Sequence, residues 1–134
     1  MADIKEERNI DLYNAYKRKY ESLGKDAKRL LPKDIIIMIS EECAPKYYIS
    51  PERALIGINA ICHNEKEKLK NKKTYQMYKE LYQKYKYFLE NDKIGKYLKK
   101  YQIIEDIINT PASSFFLEPE TMIKLVFKQI KKHG

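Results

Sequence analysis

Apolar residues recur at every third or fourth position through most of this chain, and this spacing predicts helices. The first apolar stripe consists of Leu12, Tyr16, Tyr20 and Leu23. It predicts a helix that begins near Asn9 or Asp11 and ends at Gly24, because glycine often follows the last turn of a helix. A second helix is predicted to begin at Pro32, since proline fits the first helical position. Its buried face is predicted to be Ile35, Ile36 and Ile39.

The strongest helical period lies in residues 74–90, which predict the fourth helix. Its apolar positions are Tyr78, Leu81, Tyr82, Tyr85, Phe88 and Leu89. Asp92 is predicted to cap a fifth helix. That helix has the apolar positions Tyr97, Leu98, Tyr101, Ile104, Ile107 and Ile108. Both helices are therefore expected to bury one face.

Proline also marks the start of the third and the sixth helix. Ser50 is predicted to cap a helix that begins at Pro51, and Glu118 is a poorer cap for a helix that begins at Pro119. The third helix is predicted to continue to about residue 68 and to break before Thr74, where the fourth begins.

The second half of the chain repeats the first. Residues 12–17 (LYxxYK) return as 81–86, residues 35–39 (IIxxI) as 103–107, and residues 44–52 (AxxYYIxPE) as 112–120 (AxxFFLxPE). The order is kept at offsets of 69, 68 and 68, which predicts a tandem duplication. The predicted fold is therefore all-α, with six helices arranged as two three-helix units related by a pseudo-two-fold axis.

The two predicted repeats cover about residues 9–63 and 74–132. Each is shorter than 70 residues, so both are expected to share one core. The prediction is a single compact domain over residues 1–134, in which the Lys-rich segment 64–73 joins the repeats.

Each repeat contains a short aromatic segment before its third helix, residues 47–49 (YYI) and 115–117 (FFL). Pro45 and Pro111 precede the segments and favour extended backbone, and antiparallel pairing of the two would satisfy their backbone groups. Tyr47 and Tyr48 could stack on nucleic-acid bases. The second copy keeps only the rings and no hydroxyls, which favours core packing instead.

The formal net charge of +8 is concentrated in the middle of the chain. Residues 65–100 contain twelve lysines against five acidic residues. Such a surface favours an anionic partner, which is DNA, RNA, an acidic protein or an anionic membrane. The longest apolar run, residues 35–39, is far shorter than the roughly 20 residues that span a bilayer, so no transmembrane helix is expected. Among the anionic partners, nucleic acid and an acidic protein are expected and a membrane is not.

Tyrosine and lysine alternate in residues 16–20 (YKRKY) and 82–87 (YQKYKY). This mixture is typical of nucleic-acid surfaces, where rings stack on bases and lysines neutralise phosphates. The helical spacing of Tyr82 and Tyr85 instead favours rings that face a core with their hydroxyls at its rim. The candidate contacts with nucleic acid are Lys66, Lys70, Lys72, Lys73, Lys79, Lys84, Lys86, Lys96, Lys99, Lys100 and Tyr87.

Other functional classes find less support. A helix-turn-helix is a weak match, because residues 43–50 form a longer connection than its usual turn of three or four residues. The motifs of common hydrolases and nucleotide-binding enzymes do not occur, so neither catalysis nor a cofactor is expected. Cys43 and Cys62 are expected to be reduced, buried thiols, although a zinc site that adds His63 stays open.

Three motifs support a resemblance to known proteins, namely residues 43–55 (CAPKYYISPERAL), 77–82 (MYxELY) and 111–120 (PAxxFFLxPE). Over about residues 9–131 the chain resembles a group of uncharacterised small helical proteins of gut Bacteroidetes bacteria and their phages, to which no activity is assigned. The resemblance implies a phage or mobile-element context. Ser113 and Ser114 replace the Pro-x pair of the first copy, so the turn there is expected to differ.

We therefore expect a non-enzymatic nucleic-acid-binding protein that contacts the DNA or RNA backbone with modest sequence preference. The alternative is a structural or adaptor protein, for instance a virion or assembly component, that docks an acidic protein. The expected location is the cytoplasm, or the virion if the protein is a structural component of a phage.

Overall fold

The computed structural model describes residues 3–64, 71–91 and 100–133, and within these ranges it is all-helical. Its helices are α1 (Ile4–Leu23), α2 (Pro32–Ile39), α3 (Pro51–Cys62), α4 (Lys72–Asn91), α5 (Lys100–Ile108) and α6 (Pro119–His133). A 3-10 helix, Gly24–Arg29, follows α1. The described residues contain no strand, so the predicted all-α class with six helices is confirmed.

Local chemistry places several helix ends where the sequence predicts them. The Ser50 side chain accepts a hydrogen bond from the Arg53 backbone N–H at 3.3 Å, which caps α3 in front of Pro51. Pro32 begins α2 and Pro119 begins α6. Gly24 ends α1 with φ +58°, a conformation that glycine adopts without steric cost.

Two predicted starts are wrong because polar caps act earlier in the sequence. Asp3 accepts a hydrogen bond from the Lys5 backbone N–H at 3.2 Å, and α1 therefore begins at Ile4 instead of near residue 9. Asn71 Oδ1 accepts from the Lys73 backbone N–H at 2.9 Å, so α4 begins two residues before Thr74.

The predicted end of the third helix is also wrong. The sequence predicts an end at about residue 68, but α3 ends at Cys62, and Asn64 has a left-handed φ of +58° that interrupts the helical backbone. The start of the fifth helix, predicted at Asp92, lies outside the described residues.

The buried faces differ from the predicted ones at the aromatic and thiol positions. Tyr20 and Tyr101 belong to predicted stripes but are 40% and 44% exposed. On α1 the buried residues are Leu12, Ala15 and Tyr16. Cys43 and Cys62 are exposed, which corrects the expectation of buried thiols.

The chain divides into two compact units. The first unit is Met1–Tyr48 with Ala112–Gly134, and the second is Ile49–Pro111. In the first unit α6 packs on α1 and α2, whereas in the second α3 packs on α4 and α5. Each unit therefore takes two helices from one half of the sequence and the third from the other half. The prediction of one compact domain stays a prediction.

Each unit has its own apolar core. The fully buried side chains of the first unit include Leu12, Ile35, Ile36, Ile39, Met122 and Val126. Those of the second include Ile58, Leu81, Ile103 and Ile104. In the second unit Gly57 of α3 lies so close to the Tyr78 ring of α4 that a Cβ atom would collide with it. Glycine therefore allows the close approach of these two helices.

Within the first unit, an isolated antiparallel bridge joins Ala44 and Ala112. The Ala44 N–H donates to the Ala112 carbonyl at 3.0 Å, and the reverse bond is 2.9 Å. Tyr47 stacks on Phe116 with ring centroids 6.1 Å apart, and Tyr48 stacks on Phe115 at 5.8 Å. Phe116 has φ +54°, so the extended backbone predicted for residues 115–117 is wrong at that position.

The first aromatic segment is attached to α1 by polar contacts. The Tyr48 hydroxyl donates to Asp11 Oδ2 at 2.6 Å, and Lys46 pairs with Glu7 at 3.3 Å. Burial, followed by the hydrogen bond to Asp11, raises the pKa of Tyr48 well above its ordinary value. The neutral phenol is therefore the form that the fold stabilises.

We expect Tyr48→Phe to lower the free energy of unfolding by about 1–2 kcal/mol at pH 7, because it removes a hydrogen bond to a carboxylate. The folded pKa is raised, so this stabilisation is fully present below the unfolded pKa of about 10 and is lost as pH rises above it. Urea unfolding of both proteins from pH 7 to pH 11 measures the difference. A difference that grows above pH 10 would contradict the assignment.

Candidate nucleic-acid interface

Three lysines form a line along the exposed side of α4. Lys72, Lys79 and Lys86 are seven residues apart, which is about 20° short of two full turns and about 10.5 Å along the helix axis. All three are exposed, and none of their side chains makes a hydrogen bond or ion pair with another residue in the part of the chain that the structure describes. We call these three residues the α4 lysine row.

Tyrosines lie beside this row. Tyr75 and Tyr82 are half-buried and stand three or four positions from the lysines, so each ring borders two lysine side chains on the helix surface. Apolar parts of lysine stems can cover such rings while the ammonium groups stay in water. The α4 helix as a whole carries five lysines against two glutamates. This side of the helix is therefore a basic surface with aromatic borders.

Lys84 does not belong to the α4 lysine row, because its side chain is bonded to residues that follow α5. Its ammonium donates to the Pro111 carbonyl at 2.6 Å and to Thr110 Oγ1 at 3.1 Å. Thr110 follows the last turn of α5, whose carbonyls attract cations. Lys84 therefore joins α4 to the end of α5, and its charge is partly used inside the second unit.

Lys100 is likewise engaged within the second unit. Its ammonium donates to Asn59 Oδ1 at 3.0 Å and lies 5.6 Å from the centroid of the Tyr85 ring. Burial, with a smaller effect of Cys62, raises the pKa of the Tyr85 hydroxyl, so this phenol stays neutral beside the lysine. Lys73 is half-buried at the start of α4.

Tyr87 is 68% exposed and lies on a different side of α4 from the buried face. It borders a shallow cavity of about 430 Å³, which we call the Tyr87 cavity. The lining residues are Glu80, Gln83, Lys84, Tyr87, Phe88 and Thr110. Two of the predicted contact residues, Lys84 and Tyr87, therefore meet at one concave surface.

The structure brings only some of the predicted residues together. The α4 lysine row, Lys73, Lys84 and Tyr87 share one helix, and Lys100 belongs to α5 of the same unit. The remaining candidates lie outside the described residues, namely Lys66, Lys70, Lys96 and Lys99.

A second basic surface was missed by the sequence analysis. Lys124, Lys128, Lys131 and Lys132 are all exposed on α6, which has no acidic residue after Glu120. The spacing of four and three residues between the first three lysines was the available signal. The twelve lysines of residues 65–100 outnumber the four of α6, so the larger cluster dominates the charge pattern of the chain.

Among the described residues, no group of three or more His, Cys, Asp or Glu side chains is arranged to hold a metal ion. The same residues include no helix with the length and apolarity needed to cross a membrane. Comparison of the chain with models of protein families, with curated proteins and with solved structures gives no match.

Proposed function

We propose that this protein is a non-enzymatic nucleic-acid-binding protein that contacts phosphates through the α4 lysine row. The observation that carries the proposal is the line formed by Lys72, Lys79 and Lys86, which are exposed and make no ion pair with other described residues. Lysines paired with carboxylates would lose much of their attraction for phosphate. Unpaired lysines retain their attraction for phosphate. A line of such lysines also matches the linear array of charges along a nucleic-acid backbone.

Binding of this kind follows from charge and carries little sequence information. Each phosphate that a lysine neutralises releases condensed counterions, so affinity falls linearly with salt on a double-logarithmic scale. Phosphate contacts position a protein without reading bases. The proposed binding is therefore strongly salt-dependent and has modest sequence preference.

The test is a titration of fluorescent DNA and RNA, each as a duplex and as a single strand, between about 50 and 200 mM salt. Three phosphate contacts predict a slope of about −2 to −3 and a loss of roughly 15- to 60-fold in affinity over this range. Absence of binding at the lowest salt concentration, or a slope near zero, would contradict the proposal.

We also propose that the chain is a tandem duplication with a pseudo-two-fold axis between Ala44 and Ala112. The two alanines occupy equivalent positions in the matched sequences, and each bonds the other's backbone. The ring pairs support the same relation, since each pairs the first aromatic residue of one segment with the second of the other. In the first unit α6 packs on α1 and α2, and in the second the equivalent helix α3 packs on α4 and α5.

The alternative function is a structural or adaptor protein. It is favoured by Leu31, Ile37 and Met38, which are 57%, 46% and 40% exposed at and within α2. Exposed apolar side chains close together in sequence are common in protein contacts. The resemblance noted above supports a phage or mobile-element setting, in the cytoplasm or the virion. A defined oligomer by light scattering, with no binding in the salt titration, would favour this alternative.

A further inference from the structure

The Tyr87 cavity lies directly beside the α4 lysine row. Gln83 connects the two, because it is four residues after Lys79, three before Lys86 and four before Tyr87. Side chains at these spacings are neighbours on a helix, with about 5–6 Å between Cβ atoms. A chain of phosphates along the row therefore passes within one side-chain spacing of the cavity.

We propose that the Tyr87 cavity binds one unpaired base of a single-stranded nucleic acid, stacked on the Tyr87 ring, while its phosphates lie on the α4 lysine row. This inference rests on the proposed function and names the substrate class, a single strand. Tyr87 is 68% exposed and lines the cavity, and a tyrosine supplies the aromatic ring that base stacking requires.

The chemistry of the cavity favours a base over a phosphate. Its lining includes the rings of Tyr87 and Phe88, which suit the flat, weakly polar face of a base. The Glu80 carboxylate in this lining would repel a phosphate more than an uncharged base. Gln83 adds an amide that both donates and accepts. The ammonium of Lys84 is directed to the Pro111 carbonyl and Thr110.

The need for an unpaired base selects single strands. In a duplex both faces of each base are covered by neighbouring bases, and a side chain outside the helix cannot stack on them. A volume of about 430 Å³ is within the range of ligand pockets, so the cavity has room for a base. The phosphate contacts of the row remain available to duplex and single strand alike.

The test compares Tyr87→Ala and Tyr87→Phe with the wild-type protein, on one single strand and on the duplex of the same sequence at about 100 mM salt. Tyr87→Ala should weaken single-strand binding about 10-fold or more, because stacking on one aromatic side chain is lost. Duplex binding should stay within about 2-fold, and Tyr87→Phe should keep wild-type affinity for both ligands. An abasic single strand should bind wild type and Tyr87→Ala equally.

The outcomes separate this inference from the proposed function. Equal losses on single strand and duplex, or no loss on either, would overturn the base site and leave phosphate binding standing. Wild-type protein that binds neither ligand even at about 50 mM salt would overturn both. Circular dichroism of the two variants checks the fold, which is expected to be unchanged because the Tyr87 side chain is 68% exposed.

Discussion

Residues 1–64 and residues 71–134, produced as separate chains, are each expected to be largely unfolded alone and to regain helical structure when mixed. Each fragment contains three of the six helices, but neither contains a complete unit. In the first fragment α1 and α2 lack α6, and in the second α4 and α5 lack α3. The fragments therefore need each other to complete both cores.

The expected effect is large because the net stability of a small protein is low, and each fragment loses the buried side chains of a whole helix. Met122 and Val126 of α6 are almost completely buried in the first unit, as Ala54 and Ile58 of α3 are in the second. Burying one large apolar side chain contributes about 1.5–3 kcal/mol, against a total stability of about 5–15 kcal/mol for a small protein. Removal of a whole helix leaves too little burial to offset the conformational entropy of the chain.

Circular dichroism at micromolar concentration measures this, on each fragment and on the equimolar mixture. The matched control is residues 49–111, a fragment of nearly the same length that contains α3, α4 and α5 together. This fragment is expected to be helical alone and to melt cooperatively. If residues 1–64 alone were as helical as the mixture, packing of α6 on α1 and α2 would not be what stabilises the first core.

Local features of the fold could be predicted from the sequence because they depend on residues that are close together in it. Pro32, Pro51 and Pro119 begin helices through their own geometry, and Gly24 ends one through its positive φ. The partner of each helix could not be predicted in this way. The apolar stripe of α6 reveals a buried face, but the same stripe would fit either unit.

For the candidate site too, the sequence predicts which side chains are exposed but not which distant residues they contact. Lys79, Lys86 and Tyr87 lie off the apolar stripe of α4 in the sequence and are exposed in the structure. Lys84 also lies off the stripe, but its contacts with Thr110 and Pro111 join residues that are 26 and 27 positions apart. A periodic pattern within one helix contains no information on such a contact, and Lys84 is therefore a poor position for a charge reversal.

Lys79→Glu combined with Lys86→Glu is expected to weaken binding to single-stranded and duplex nucleic acid by roughly 10- to 100-fold at about 100 mM salt. Two phosphate contacts become repulsive, so the salt slope should also fall by about two. Both lysines are exposed and make no ion pair with other described residues, so the fold should tolerate the change. The salt titration described above measures both quantities.

The matched control is Lys124→Glu combined with Lys131→Glu on α6. It removes the same charge at the same seven-residue spacing from exposed positions of the other unit. Each double variant also places one new glutamate four residues from an existing one, Glu90 in α4 and Glu120 in α6. In α6 both new glutamates also lie three or four residues from Lys128, which offsets part of this repulsion. The α6 variant is expected to keep affinity within about 3-fold, because the proposed phosphate contacts are made by α4. Equal losses in the two variants would mean that net charge alone governs binding, and the assignment to α4 would then be wrong.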